Sequence, residues 1–138
     1  MKKLSEKLEF LMLMSKTEAI ISRKFSGQGL GFVDLAVLHA ISGASDGKIR
    51  RIDLAEQVGL TASGVTRLLI PLEKIGVVKR EVNERDARIS YVAMTKSGQQ
   101  LFEDSLKWIE EKVDDLIPDG NSKKIDQASE LLLSIHNH

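Results

Sequence analysis

Cysteine is absent from the 138 residues. That excludes disulfides, zinc–thiolate sites, iron–sulfur clusters and every thiol nucleophile or redox sensor. Proline occurs twice and glycine ten times, which excludes collagen-like and proline-rich architectures. Aromatic residues make up only 4% of the chain, so the core has to be built from Leu, Ile, Val and Ala. No run approaches the ~20 apolar residues that a membrane span requires. Lys2, Lys3 and Lys7 precede a short apolar run from Phe10 to Met14. Glu6 and Glu9 interrupt the approach to this run and no small-residue cleavage site follows, which argues against a signal peptide. The expected setting is the cytoplasm, with no membrane partner.

Apolar residues at 42% and charged residues at 29% form an ordinary globular balance. The length fits one domain, or one domain with extra helices. Lys+Arg and Asp+Glu are 20 each, for a net charge of zero. That average hides a division. Between Gly47 and Gly98 there are ten Lys/Arg against six Asp/Glu, a net of +4, which leaves −4 for the flanks. A basic middle between acidic ends suggests that one lobe meets a polyanion.

Leu4 to Phe25 reads as a long helix with apolar residues on more than one face, which calls for burial on more than one side. In a chain of this size the second side is a partner subunit. Ser26, Gly27, Gly29 and Gly31 break it. A second helix follows over Phe32 to Ile41, with Leu35, Ala36, Leu38 and Ile41 inward. Residues 42–47 read as a loop.

The stretch after this loop is the most informative. Ile52 to Val58 reads as a short helix and Gly59-Leu60 as a turn. Thr61 is an N-cap for a helix running to Ile75, which Gly76 stops. Ala55 is small where helices cross, Gly59 suits a positive φ, and Val65 packs the second helix onto the first. That is helix-turn-helix spacing. The β-prone runs from Val77 to Val82 and from Ile89 to Met94 flank a polar tip, Asn83 to Arg88, and make a hairpin. Thr95 caps a helix to Ile117, and Pro118 to Asn121 end it. Ser122 is expected to cap a last helix, where Ile125, Ala128, Leu132 and Ile135 form an a/d-type seam.

Helices, helix-turn-helix, charged hairpin and further helices make a winged-helix arrangement: mostly α with a small β-hairpin wing (α+β). The chain resembles the MarR family of bacterial transcription regulators. The residues that carry the resemblance are Leu54 to Leu60, Val65 to Leu69, Leu72 to Arg80, the wing Asn83 to Arg88, and the restart Met94 to Gly98. Continuous matching covers Ile52 to Leu101. The resemblance implies a homodimer built from residues 1–25 and 99–138, a winged-helix lobe over residues 32–98, and a palindromic double-stranded DNA operator. It also implies a repressor released by a small aromatic or hydrophobic effector. Three departures stand out. Asn83 replaces the frequent Asp at the wing's start, which should weaken local charge pairing. Arg50 and Arg51 stand where a Ser, Thr or Asp cap is usual. Pro71 lies inside the second helix of the motif, where it removes a backbone bond to Arg67 and favours a kink.

Arg50 and Arg51 crowd a helix N-terminus, where cations are unfavourable, so a DNA phosphate would relieve them. Thr61, Ser63, Gly64, Thr66 and Arg67 lie on the early part of the recognition helix, the part that enters a major groove. Arg67 suits a bidentate pair with guanine, or alternatively a phosphate or Glu73. The resemblance places Arg88 in a minor groove, oriented by Asp86, with Arg85 on the phosphate backbone or paired with Asp86. Met14, Leu38, His39 and Trp108 are the expected effector lining, although Trp108 and the run from Phe10 to Met14 are more often dimer core. The three histidines lack a metal-binding spacing. No catalytic constellation, GxGxxG or phosphate-loop lysine motif appears. The expectation is therefore no enzyme, no cofactor and no metal. The competing reading is a winged-helix protein–protein module without DNA binding.

Overall fold

The computed structural model describes residues 1–26 and 29–138, so Gly27, one of the glycines assigned to the first break, lies outside the described residues. The elements are α1 (Glu6–Lys24), α2 (Phe32–Ser42), a 3-10 turn (Ser45–Gly47), β1 (Lys48–Arg50), α3 (Arg51–Val58), α4 (Ala62–Lys74), β2 (Val78–Val82), β3 (Ser90–Met94), α5 (Lys96–Leu116) and α6 (Ser122–Ile135). The chain divides into two compact units, Met1–Ser105 and Leu106–His138.

The first unit has a core of Leu30, Leu35, Val37, Leu38, Ile41, Leu54, Val65, Leu69, Leu72, Val77, Val92 and Phe102. It is aliphatic, as the shortage of aromatics requires. On α2 the inward set is Leu35, Val37, Leu38 and Ile41. Ala36 is exposed, contrary to the sequence reading, because the larger Val37 takes the buried face. Phe25 and Phe32 bracket the α1–α2 connection, their ring centroids 5.9 Å apart.

The hairpin is part of a three-stranded antiparallel sheet in the order β1-β3-β2. β1 pairs Lys48, Ile49 and Arg50 with Ala93, Val92 and Tyr91. β2 pairs Val78 to Val82 with Met94 to Ser90. Strand β1 lies where the sequence reading passed from loop to helix. Its three residues carry one apolar side chain, too short a pattern to read, and pairing with β3 supplies its order.

α3 and α4 are joined by the tight turn expected. Gly59 has φ 72°, the Leu60 amide donates to Ala55 O at 3.0 Å, and the Gly59 amide donates to Glu56 O at 3.3 Å. This is a Schellman closure, which needs a left-handed residue. Gly76 repeats it at the end of α4 with φ 80°, the Val77 amide reaching Leu72 O at 2.9 Å. Thr61 caps α4 by accepting from the Gly64 amide at 3.0 Å. Pro71 sits inside α4, which runs on through it as one helix.

Thr95 caps α5, its hydroxyl accepting from the Gly98 amide at 2.9 Å. The same hydroxyl donates to Gly76 O. In the second unit Asn121, not Ser122, occupies the cap position of α6. The Asn121 amide group donates to Pro118 O at 2.8 Å, so it closes the preceding turn and Ser122 becomes the first helical residue. No residue of α1 or α6 is buried within the single chain.

Gly98 has the tightest surroundings of the described glycines. A Cβ there would collide with the Val77 carbonyl, 2.8 Å from its carbon and 2.9 Å from Val77 Cα. Gly98→Ala should therefore destabilise by about 1–3 kcal/mol. Gly43→Ala, whose Cβ would make only an ordinary 3.6 Å contact, should change little. Urea unfolding midpoints compare the two, and equal midpoints would contradict the reading.

Candidate nucleic-acid interface

The recognition helix α4 sorts its residues by face. Val65, Leu69 and Leu72 are buried. Ser63 and Arg67 are exposed and lie one turn apart, so they share the outward face. Arg67 makes no ion pair among the described residues, so the pairing with Glu73 considered above is absent and its guanidinium is available. Gly64 has a local reason to be glycine. A Cβ there would lie 3.1 Å from Thr61 Oγ1, the atom that caps the helix.

Thr66 is held by its neighbours. Its hydroxyl donates to Ala62 O at 3.0 Å and accepts from Arg51 Nη1 at 3.3 Å. Arg51 is the first residue of α3 and half-buried, so this contact ties the start of α3 to the middle of α4. Arg51 Nε is buried without a partner among the described residues. Arg50 is the N-cap of α3 but gives it no side-chain cap bond, and its side chain is exposed. The two arginines thus part company: Arg51 braces the recognition helix, and Arg50 stays at the surface.

The wing turn is built by Asn83. Its side-chain oxygen accepts from the Arg85 amide at 2.8 Å and the Asp86 amide at 3.1 Å. An amide oxygen performs this turn as well as a carboxylate would. Its Nδ2 also reaches Tyr91 Oη at 3.5 Å. The expected loss of charge pairing at this position is therefore offset by turn closure. Asp86 pairs with Arg88, not Arg85: Arg88 Nε meets Oδ1 and Nη2 meets Oδ2, each at 3.0 Å. The Arg88 amide adds a third bond to Oδ1 at 3.0 Å. The side-chain bonds from Arg88 hold the Asp86 carboxyl below its ordinary range, with help from that amide and from the charge of Arg50. Asp86 in turn pushes the Arg88 guanidinium up. Arg88 is nevertheless 90% exposed, a cation fixed in direction and open to a ligand.

Met14, Leu38 and His39 belong to the first unit and Trp108 to the second. Leu38 is fully buried and cannot line an open site, whereas its neighbour His39 is exposed beside a shallow groove with Ala40, Gly43 and Gln57. Among the described residues no group of His, Cys, Asp or Glu could hold a metal, and no helix is long and apolar enough to cross a membrane.

No family model matches the chain. Its sequence is 27% identical, over 97% of this chain and 81% of the relative, to an uncharacterized HTH-type transcriptional regulator of Bacillus subtilis, YdgJ. The structure superposes with a TM-score of 0.77 on Sco3205, a MarR family transcriptional regulator from Streptomyces coelicolor in complex with DNA, at 19% identity and covering 98% of this chain and 89% of that one. It superposes with a TM-score of 0.78 on a mutant MarR from E. coli complexed with operator DNA, at 21% identity and covering 94% of each chain. The fold is that of the MarR family transcriptional regulators. The MarR resemblance read from Ile52 to Leu101 is borne out by these comparisons.

Replacing Asn83 tests the wing of this MarR-like lobe. Asn83→Ala leaves the Arg85 and Asp86 amides without their acceptor and should cost about 1 kcal/mol locally. Asn83→Asp keeps the acceptor. Amide hydrogen exchange at Arg85 and Asp86 should accelerate severalfold in Asn83→Ala and stay near wild type in Asn83→Asp. Equal acceleration in both would show that the Asn83 oxygen does not close the turn.

Proposed function

We infer that this chain is a sequence-specific DNA-binding transcription regulator. The observation that carries this reading is the presence, on one small lobe, of two exposed arginines on different elements. Arg67 stands free on the recognition helix, and Arg88 is aimed by Asp86 at the tip of the wing. A recognition helix suits the major groove, where a guanidinium pairs bidentately with guanine. A wing arginine suits a narrow minor groove, whose negative potential attracts it. Arg85 is exposed on the same tip and suits a phosphate, as does Arg50 on the lobe's surface. A protein–protein module has no observation in its favour, since the outward face of α4 presents Ser63 and Arg67 and not an acidic surface.

The proposal extends to a homodimer acting as a repressor on a palindromic operator. Support comes from α1, where Leu11, Met12 and Leu13 are 46%, 53% and 59% exposed, and from α6, where Ile125, Leu131, Leu133 and Ile135 are exposed. Apolar surface of this kind marks an interface. Two lobes related by a two-fold axis would read half-sites about one helical turn apart. Release by a small hydrophobic or aromatic effector follows from the family resemblance. On the first unit, exposed His39 and half-buried Met14 remain candidates for its contacts, and buried Leu38 does not.

Two measurements test the proposal. On duplexes selected from a random pool, Arg67→Ala should cost about 1–3 kcal/mol and relax preference at one base position. Unchanged affinity and preference would remove Arg67 from the interface. Sedimentation at micromolar concentration should show a dimer for the wild type and a shift to monomer for Leu132→Asp. A wild-type monomer would reject the dimer.

A further inference from the structure

The front of the recognition helix carries an apolar side chain that takes no part in the core. Ser63, Arg67, Ile70 and Lys74 follow one another at steps of four, three and four residues, and all are exposed. At about 3.6 residues per turn they form one line along α4, opposite the buried Val65, Leu69 and Leu72. Ile70 is the apolar member of this line and is 53% exposed. Single exposed aliphatic residues are common on protein surfaces. Ile70 is set apart by its place, one turn beyond Arg67 on the face that the DNA-binding reading turns towards a groove. The hydroxyls nearby are engaged within the chain. Thr66 donates to Ala62 O at 3.0 Å and accepts from Arg51 at 3.3 Å, and Ser63 Oγ lies 3.3 Å from Thr61 Oγ1, the cap of the helix. Lys74 is the last residue of α4, and an ammonium there suits a phosphate. Polar reading of base edges thus falls chiefly on Arg67, and Ile70 is the side chain next along the line.

We propose that Ile70 is a specificity-determining residue that packs on the 5-methyl group of a thymine, within about two base pairs of the base taken by Arg67. This rests on the DNA-binding reading and deepens it, because it names a second base of the half-site. Thymine is the one base of unmodified DNA that shows an apolar group in the major groove. Cytosine at the same place shows an amine donor, which an aliphatic side chain leaves without an acceptor. The spacing along the helix fits. Three residues of α-helix advance about 4.5 Å, and successive base pairs are about 3.4 Å apart. With α4 lying along the groove, Arg67 and Ile70 reach neighbouring steps, one by hydrogen bonds and the other by apolar contact.

Uracil substitution tests the contact, since deoxyuridine is thymidine without that methyl. On a duplex selected from a random pool, each thymine of the half-sites is replaced in turn. Fluorescence anisotropy then gives the affinity of wild type, Ile70→Ala and Ile70→Val. One thymine close to the base position that Arg67→Ala relaxes should be sensitive. Its replacement should weaken wild-type binding about 3–5-fold, the worth of one buried methyl. Ile70→Ala should bind the unmodified duplex at least as weakly as wild type binds the uracil duplex, and should not distinguish the two. Ile70→Val, which keeps a branched aliphatic chain, should retain most of the discrimination. Equal sensitivity to uracil in wild type and Ile70→Ala would overturn the proposal, as would a duplex indifferent to uracil at every position. Either result would leave the DNA-binding reading intact. The urea midpoint of Ile70→Ala should be no lower than that of wild type, and a clear fall would assign Ile70 to packing instead. Failure to select any duplex would refute both readings together.

Discussion

The contact on which the lobe's geometry depends is the one between Thr95, Gly76 and Gly98. A single hydroxyl donates to Gly76 O at the end of the recognition helix and accepts from the Gly98 amide at the start of α5. The Thr95 amide donates to Val77 O at 3.0 Å, and Gly98 lies against that same residue with no room for a Cβ. The end of α4, the end of β3 and the start of α5 therefore meet within a few atoms. The recognition helix projects one way from this node and the wing, carried by β2 and β3, projects another. Any protein that must present a helix and a hairpin to the same duplex needs their separation fixed, and here backbone contact fixes it.

Around this node the polar residues have two functions. Some build the frame: Thr61 caps α4, Arg51 braces Thr66, and Asn83 closes the wing turn. Others stay available: Ser63, Arg67, Arg85 and Arg88 are exposed. The division explains why so many polar groups on one face cost little. Those that approach burial have partners, apart from Arg51 Nε. The exposed ones are solvated, so their charge costs little in the free protein. The charge split along the sequence, basic between Gly47 and Gly98, is the same division seen at low resolution.

Much of this could be read from residue types because the signals were local. Gly59 and Gly76 stop helices in left-handed turns, and Thr61 and Thr95 cap the helices that follow, as their positions in the sequence suggested. What escaped reading was tertiary. Strand β1 exists because β3 offers it an edge, and three residues carry no periodicity of their own. For Asp86 the sequence offered two arginines, and the turn that Asn83 makes selects Arg88, the one expected to be oriented by it, over Arg85. Asn121 displaces Ser122 as a cap because it is needed to close the turn after Pro118. Leu38 drops out of the expected effector lining for the same reason, since its burial follows from how α2 is packed and not from its hydrophobicity.

The central claim is that the front of α4 and the tip of the wing engage one duplex together. Backbone amide shifts recorded while selected duplex DNA is added test it most directly. The account predicts that Thr61 to Arg67 and Asn83 to Ile89 shift in parallel, with one saturation point, while the exposed residues of α6 do not shift. Perturbation confined to either segment alone, or centred on α6, would contradict it.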